Sequence, residues 1–270
     1  MTSSPVSRSF GVMAETTTSH RERVAIVTGA SKGLGLALAR ALATRGWRLV
    51  LDARGVDALT RVGTELRRQT RVVTVTGDVA DEEHRVRLVD EAARLGRLEL
   101  LVNNASALGP SPQPALADYP LCELRSVYEV NVLAPLRLVQ LALPQLVASR
   151  GQVVNVSSDA AVEPYAGWGG YGSSKAGLEQ LSNVLAAEHP ELGVLWVDPG
   201  DMRTDLHQAA FPGEDISDRP PPEASVPGLL ALLERGAPSG RYRIEAVGDA
   251  GPGGGPDGAD AATPGELVGR

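Results

Sequence analysis

The sequence predicts an α/β fold: a doubly wound sheet of about seven parallel strands in a single domain, with helices on both faces. Three observations predict it. Short apolar, β-branched runs alternate with helical patterns of ten or more residues along most of the 270-residue chain. The runs are continuously apolar rather than alternating, as in strands covered on both faces, and parallel strands need helical crossovers of that length. A glycine-rich turn stands where the first run meets the first helical pattern, and no internal repeat or mid-chain linker suggests a second unit.

The elements follow in order. "VAIVTGA" (24–30) leads into an amphipathic stretch from Leu34 to Thr44, and "RLVLDAR" (48–54) into the charged helix "VDALTRVGTELRRQ". "RVVTVTGDV" (71–79) precedes "DEEHRVRLVDEAARLG", and "LELLVNNAS" (98–106) precedes a loop carrying "LGPSPQP". A long helix covers 121 to 149, followed by "GQVVNVSS" (151–158), a helix over 171–189, and "GVLWVDPG" (193–200). "GRYRIEAVG" (240–248) closes the periodic part. The segment 205–227, with "DISDRPPPE" inside it, breaks the alternation and reads as an irregular flap. Residues 1–21 and the Gly/Pro/Asp-rich 250–270 read as disordered tails, leaving 22–249 as the domain.

Composition bounds the function. A net charge of −7 argues against nucleic-acid binding, which requires a basic stripe or excess. No apolar run suggests a membrane helix, and the first twenty residues lack the apolar core of a secretion signal. One cysteine, Cys122, excludes an internal disulfide and fits a reducing compartment, so the cytoplasm is expected. The histidines, His20, His84, His189 and His207, show no metal-ligand spacing, and no metal site is expected.

Chemistry concentrates at the C-terminal ends of the expected strands. In "TGASKGLG" (28–35), Gly29, Gly33 and Gly35 let backbone approach a pyrophosphate at a helix N-terminus. In "YGSSK", Tyr171 and Lys175 lie four residues apart and share a helix face. An ammonium there favours phenolate and draws a phenol down from its usual pKa of about 10. Pro135 follows Asn131 by four residues and has no N–H, so the Asn131 carbonyl loses its usual helical partner.

The glycine turn, "NNAS", the serine pair and Tyr-x-x-x-Lys, in this order, resemble the short-chain dehydrogenase/reductase family, single-domain branch, over 22–248. The resemblance implies a Rossmann-type fold and an oxidoreductase that moves a hydride between a nicotinamide and a carbonyl or secondary alcohol. It assigns Tyr171 as general acid/base, Lys175 as its partner, Ser158 as the carbonyl-binding serine with Ser157 the adjacent competitor, and Asn131 as holder of a relay water. Cofactor contacts are implied for Gly29, Ser31, Lys32, Gly33, Leu34 and Gly35, for Asp78 and Val79, and for Asn104, Ala105 and Ser106. Pro199, Gly200 and Thr204 are expected beside the carboxamide, together with Tyr171 and Lys175. Ser106 departs from the usual glycine.

NADP(H) is favoured over NAD(H). Alignment puts Ala53 where NAD-preferring relatives carry an acid, with Arg54 beyond it and Lys32 in the loop, although a one-residue shift would make Asp52 that acid. Asp78 has the alternative of capping the next helix. Glu163, Tyr165 and Trp168 either line the substrate pocket or pack a loop. A homodimer or homotetramer built through the long helices is expected. The rival readings are a silent nucleotide-binding regulator, which has no need of Asn131, Ser158, Tyr171 and Lys175 together, and a ligand-free scaffold, which has no need of the glycine turn.

Overall fold

The computed structural model of the chain describes residues 22–244; the expected tails and the end of the 240–248 run lie outside them. Among the described residues one sheet contains seven strands, β1 (Arg23–Val27), β2 (Arg48–Ala53), β3 (Val72–Thr76), β4 (Arg97–Asn103), β5 (Gln152–Val156), β6 (Gly193–Asp198) and β7 (Gly240–Arg243). All six pairings are parallel, in the order β3-β2-β1-β4-β5-β6-β7. The chain starts mid-sheet, winds out to β3, then returns to β4 and winds the other way. The winding reverses between β1 and β4, where such sheets open a crevice for ligands.

Side-chain alternation divides the core into two layers. Ala25, Val27, Leu49 and Leu51 face α1 (Gly33–Thr44), α2 (Val56–Leu66) and α8 (Val226–Glu234). Val24, Ile26 and Val50 face α3 (Glu82–Leu95) and α5 (Ala134–Ser149) through Leu88, Leu138 and Leu146. A bulge in β4 skips Glu99 between the partners of Val24 and Ala25. Leu98 and Leu101 thereby point into one layer, Leu100 and Val102 into the other. Each fully buried leucine contributes about 1.5–3 kcal/mol.

Three differences from the sequence expectation have physical causes. The single helix over 121–149 is α4 (Leu121–Tyr128), a π-helical turn (Glu129–Leu133) and then α5. Pro135 cannot donate to Asn131, and Ala134 N–H reaches back five residues to Glu129 instead. By length and composition alone Leu121–Ser149 would pass for a membrane span; in the fold, Leu138, Val139, Ala142 and Leu146 are core.

The flap is more ordered than expected. It contains α7 (Asp205–Ala210) and a 3₁₀ turn (Pro222–Ser225) that runs into α8. α8 was not expected: Pro227 and Gly228 stand in its first turn, where proline loses nothing. Its Val226, Leu229, Leu230, Leu232 and Leu233 are buried in the α1 layer. The remaining helix, α6 (Gly169–Glu188), starts at the crevice and runs behind β5 and β6.

Candidate active site

A cleft of about 630 Å³ opens over the C-terminal ends of the strands, from Arg54 and Asp78 past the glycine turn to Ser158, Tyr171 and Lys175. A second cavity, about 830 Å³, lies at the opposite ends of the strands and holds none of the expected site residues.

The glycine turn is built for close approach. Gly29 has φ +64°, and a Cβ there would lie 3.0 Å from both Ala105 Cα and Asn104 Nδ2. Thr28 Oγ1 accepts from Asn104 N (2.9 Å) and Ala105 N (3.0 Å), tying the turn to the end of β4. No side chain caps the N-terminus of α1, so its first amides face the cleft unspent. Glycine backbone, free amides and an electropositive helix end fit a dinucleotide pyrophosphate. Ser31, Lys32, Gly33 and Leu34 line this part of the cleft. Gly35 packs behind it, where a Cβ would stand 2.5 Å from Asn104 Nδ2.

At the other end, the first turns of α6 carry Tyr171 and Lys175 on one face, both buried. Lys175 Nζ lies 5.5 Å from the Tyr171 ring centroid and donates to Val156 O at 2.8 Å. The phenol is pushed up to about 12, above all by burial; hydroxyls of Ser106 and Ser158 oppose this, and Asp198 and Asp159 add to it. Burial brings the Lys175 ammonium down to about 8, against the opposing effect of Glu179. The phenol is thus raised where a lowering was expected: desolvation dominates, and the Lys175 ammonium spends its hydrogen bond on a carbonyl.

Hydrogen bonding separates the two serines. Ser157 is buried, and its Oγ donates to Glu179 Oε1 at 2.5 Å. Ser158 flanks Tyr171 in the cleft, where its hydroxyl donates to Asp159 Oδ1 at 2.9 Å. Tyr165 also donates to Asp159, at Oδ2 (3.0 Å), and packs edge-on against Trp168, which stands edge-on to Tyr171. Trp168 thus lines the cleft, Tyr165 supports it, and Glu163 is exposed.

Asn131 is fully buried in the π-helical turn and acts through its side chain. Oδ1 accepts from Ala107 N (2.8 Å) and Ser106 Oγ (3.2 Å), while Nδ2 donates to Ala107 O (2.8 Å) and Ser174 Oγ (2.9 Å). It therefore joins the loop after β4 to α6. Ser106, where glycine was expected, fits by turning its hydroxyl to Asn131.

Charge governs the β2 end. Asp52 is buried beneath the turn, with Oδ1 2.6 Å from His84 Nε2 and Oδ2 accepting from Gly29 N at 3.4 Å. Burial raises its carboxyl, and His84 opposes the shift. Ala53 and the exposed Arg54 are left at the rim. Lys32 pairs with Asp205 at 2.6 Å, both largely exposed. Asp81, not Asp78, caps α3; Asp78 accepts from Ala80 N, and Val79 O accepts from Arg85. Pro199, Gly200 and Thr204 close the near wall, and Thr204 caps α7.

Two arrangements escaped sequence reasoning. One is Asp52 with His84, a histidine weighed only as a metal ligand. The other joins Arg241 to Glu179 (3.0 Å) and to Ser158 O (3.3 Å), across 62 and 83 residues, and no local signal could have found it.

This crevice and its glycine turn belong to a recognisable class. The chain matches the short chain dehydrogenase family over residues 23–215. It belongs to that family and is an NAD(P)-dependent oxidoreductase acting on carbonyl and alcohol groups. It is 36% identical over 201 residues to sepiapterin reductase of Mus musculus, covering 69% of this chain and 77% of the relative. It is 34% identical over 188 residues to sulfoacetaldehyde reductase 2 of Chromohalobacter salexigens, covering 68% and 74%. Among solved structures, an alcohol dehydrogenase from the archaeon Thermococcus sibiricus, complexed with 5-hydroxy-NADP, superposes with TM-score 0.76 at 27% identity, covering 85% of this chain and 99% of the other.

Proposed function

We propose that the protein is an NADP-dependent carbonyl reductase in which Tyr171 is the general acid in reduction and the base in the reverse direction. The observation that carries this reading is the Tyr171 hydroxyl, buried beside those of Ser158 and Ser106 at one end of a cleft whose far end is rimmed by Arg54. A phenol pushed up to about 12 stays protonated at neutral pH and is ready to give its proton to a carbonyl oxygen. Ser158 donates to that oxygen as negative charge develops on it. Lys175 brings a cation next to the ring as the proton leaves, and Asn131 holds the Ser106–Ala107 backbone in place. A bound reduced nicotinamide supplies the hydride.

NADP is favoured because both oxygens of Asp52 are engaged beneath the turn, leaving Arg54 to meet a 2′-phosphate, with Lys32 close by. The comparison protein bound to an NADP derivative is consistent with that choice. Residues 22–249 form the working domain, with the cytoplasm as its compartment. Exposed Leu121, Leu133 and Val184, within 121–149 and α6, favour a homodimer or homotetramer through those helices, which light scattering reads directly.

The test of the chemistry is Tyr171→Phe. Turnover with NADPH across a panel of ketones and aldehydes should fall about a thousandfold, while NADPH still quenches protein fluorescence as in the wild type. Retained turnover rejects Tyr171 as the acid.

A further inference from the structure

Asp52 is an unusual residue for its position, a fully buried carboxylate one residue before the end of β2 that still borders the cleft. Its partner is as unusual. His84, in the first turn of α3, is completely buried, and its Nε2 lies 2.6 Å from Asp52 Oδ1. The network fixes the tautomer: Arg87 Nη2 stands 3.3 Å from His84 Nδ1, and a guanidinium only donates. Nδ1 therefore accepts, and Nε2–H donates to the carboxylate. Room for the ring exists because residue 77 is glycine, where a Cβ would stand 2.2 Å from His84 Nδ1. β2, the turn after β3 and α3 thus combine to seat one imidazole under the glycine turn.

We infer that His84 is a coenzyme-selectivity residue: it holds the Asp52 carboxylate back from the rim where Arg54 and a 2′-phosphate would meet. The inference rests on the NADP reading above. An acid at the end of the second strand of such sheets binds ribose hydroxyls and repels a 2′-phosphate. This chain has the acid one residue early, and the imidazole takes the oxygen that could otherwise turn outward. Removing the imidazole leaves a buried carboxylate without its strongest partner, and the open direction is the cleft that it already borders. The other charged groups facing the pair are Asp78, whose charge adds to the upward shift of the Asp52 carboxyl, and Arg87, against the far side of the ring.

The test compares dissociation constants for NADPH and NADH, by fluorescence quenching or calorimetry, in four variants, with folding checked by thermal melting. His84→Leu should weaken NADPH about tenfold while NADH changes less than about threefold. His84→Gln, which keeps a donor, should stay near the wild-type ratio. Adding Asp52→Asn to His84→Leu should restore NADPH binding. Equal weakening of both cofactors by His84→Leu means that the pair is merely structural and overturns the inference. If that variant does not fold, Asp52→Asn alone decides. A ratio within about threefold of wild type supports a carboxylate already held back, and a tenfold rise toward NADPH shows one already facing the ribose. A wild type that prefers NADH defeats the NADP reading instead, while the shift caused by His84→Leu still reads the role of His84.

Discussion

The two ends of the cleft are built on different principles. At the Tyr171 end, the groups proposed to react are held by short hydrogen bonds within the fold: Lys175 to a carbonyl, Asn131 to Ala107 and Ser174, Ser158 to its neighbour Asp159. At the Arg54 end, the decisive groups are charges, some at the surface and one sealed beneath it. Burial fixes geometry and shifts proton affinity, so substitutions in the first region should alter turnover and stability. Exposed charges are screened, so substitutions in the second should alter cofactor affinity and its salt dependence.

The largest expected effect belongs to the buried end. Lys175→Met should lower turnover about a hundredfold or more, with cofactor affinity changed far less. The same variant checks the proton affinity that burial imposes. With the folded-state pKa near 8 and the unfolded one at the ordinary 10.5, the unfolded chain binds more protons between those values. Wild-type stability at this site should therefore rise with pH across that window. Lys175→Met should look relatively most stable below pH 8 and lose that advantage toward pH 10.5, as read by urea denaturation at a series of pH values. A stability gap that does not vary with pH would contradict a desolvated ammonium.

Asn131→Leu comes next. It removes the side-chain partner of the half-buried amide and carbonyl of Ala107 and one of the two partners of the buried Ser174 hydroxyl, and should cost about 3 kcal/mol in denaturant unfolding. A cost below about 1 kcal/mol would show that the loop after β4 does not depend on this side chain.

The same contrast explains what could be read in the sequence. Continuous apolar runs such as "VAIV" announced buried parallel strands; five of the seven strands fall within the runs predicted, and β1 and β4 start one residue earlier, at Arg23 and Arg97. Tyr171 and Lys175 were legible because one turn of α6 sets their relation, and Asn131 because Pro135 marks the break in its helix. α8 was not expected: Pro227 and Gly228 stand in its first turn, and its burial against α1 comes from the fold. At the charged end, Asp52 meets His84 across 32 residues and Lys32 meets Asp205 across 173. Pairings of that kind come from the fold, and neither periodicity nor spacing encodes them.

Arg54→Ser sharpens the comparison at the rim. NADPH affinity should fall about tenfold and NADH affinity hardly at all, since one charge-assisted contact to a phosphate contributes about 1.5 kcal/mol. Equal loss for both cofactors would remove Arg54 as the phosphate partner.

The smallest effect is expected where two exposed charges already satisfy one another. Lys32 Nζ and Asp205 Oδ2 are 2.6 Å apart, yet their side chains are 70% and 75% exposed, so water and salt compete with the pair at little cost. A 2′-phosphate that recruits Lys32 must displace Asp205, and the carboxylate then stands as a like charge beside it. Asp205→Ala removes both the competitor and the repulsion. NADPH should bind more tightly, but by no more than about threefold, with the gain vanishing as ionic strength rises and its Debye screening shortens. NADH, which lacks the phosphate, should show no gain at any salt concentration. A salt-independent change in both cofactors would mean instead that Asp205 matters as the first residue of α7, beside Thr204 and the near wall of the cleft. The glycine loop would then contribute backbone alone to the adenosine end, and Arg54 would be the sole charge reading the phosphate.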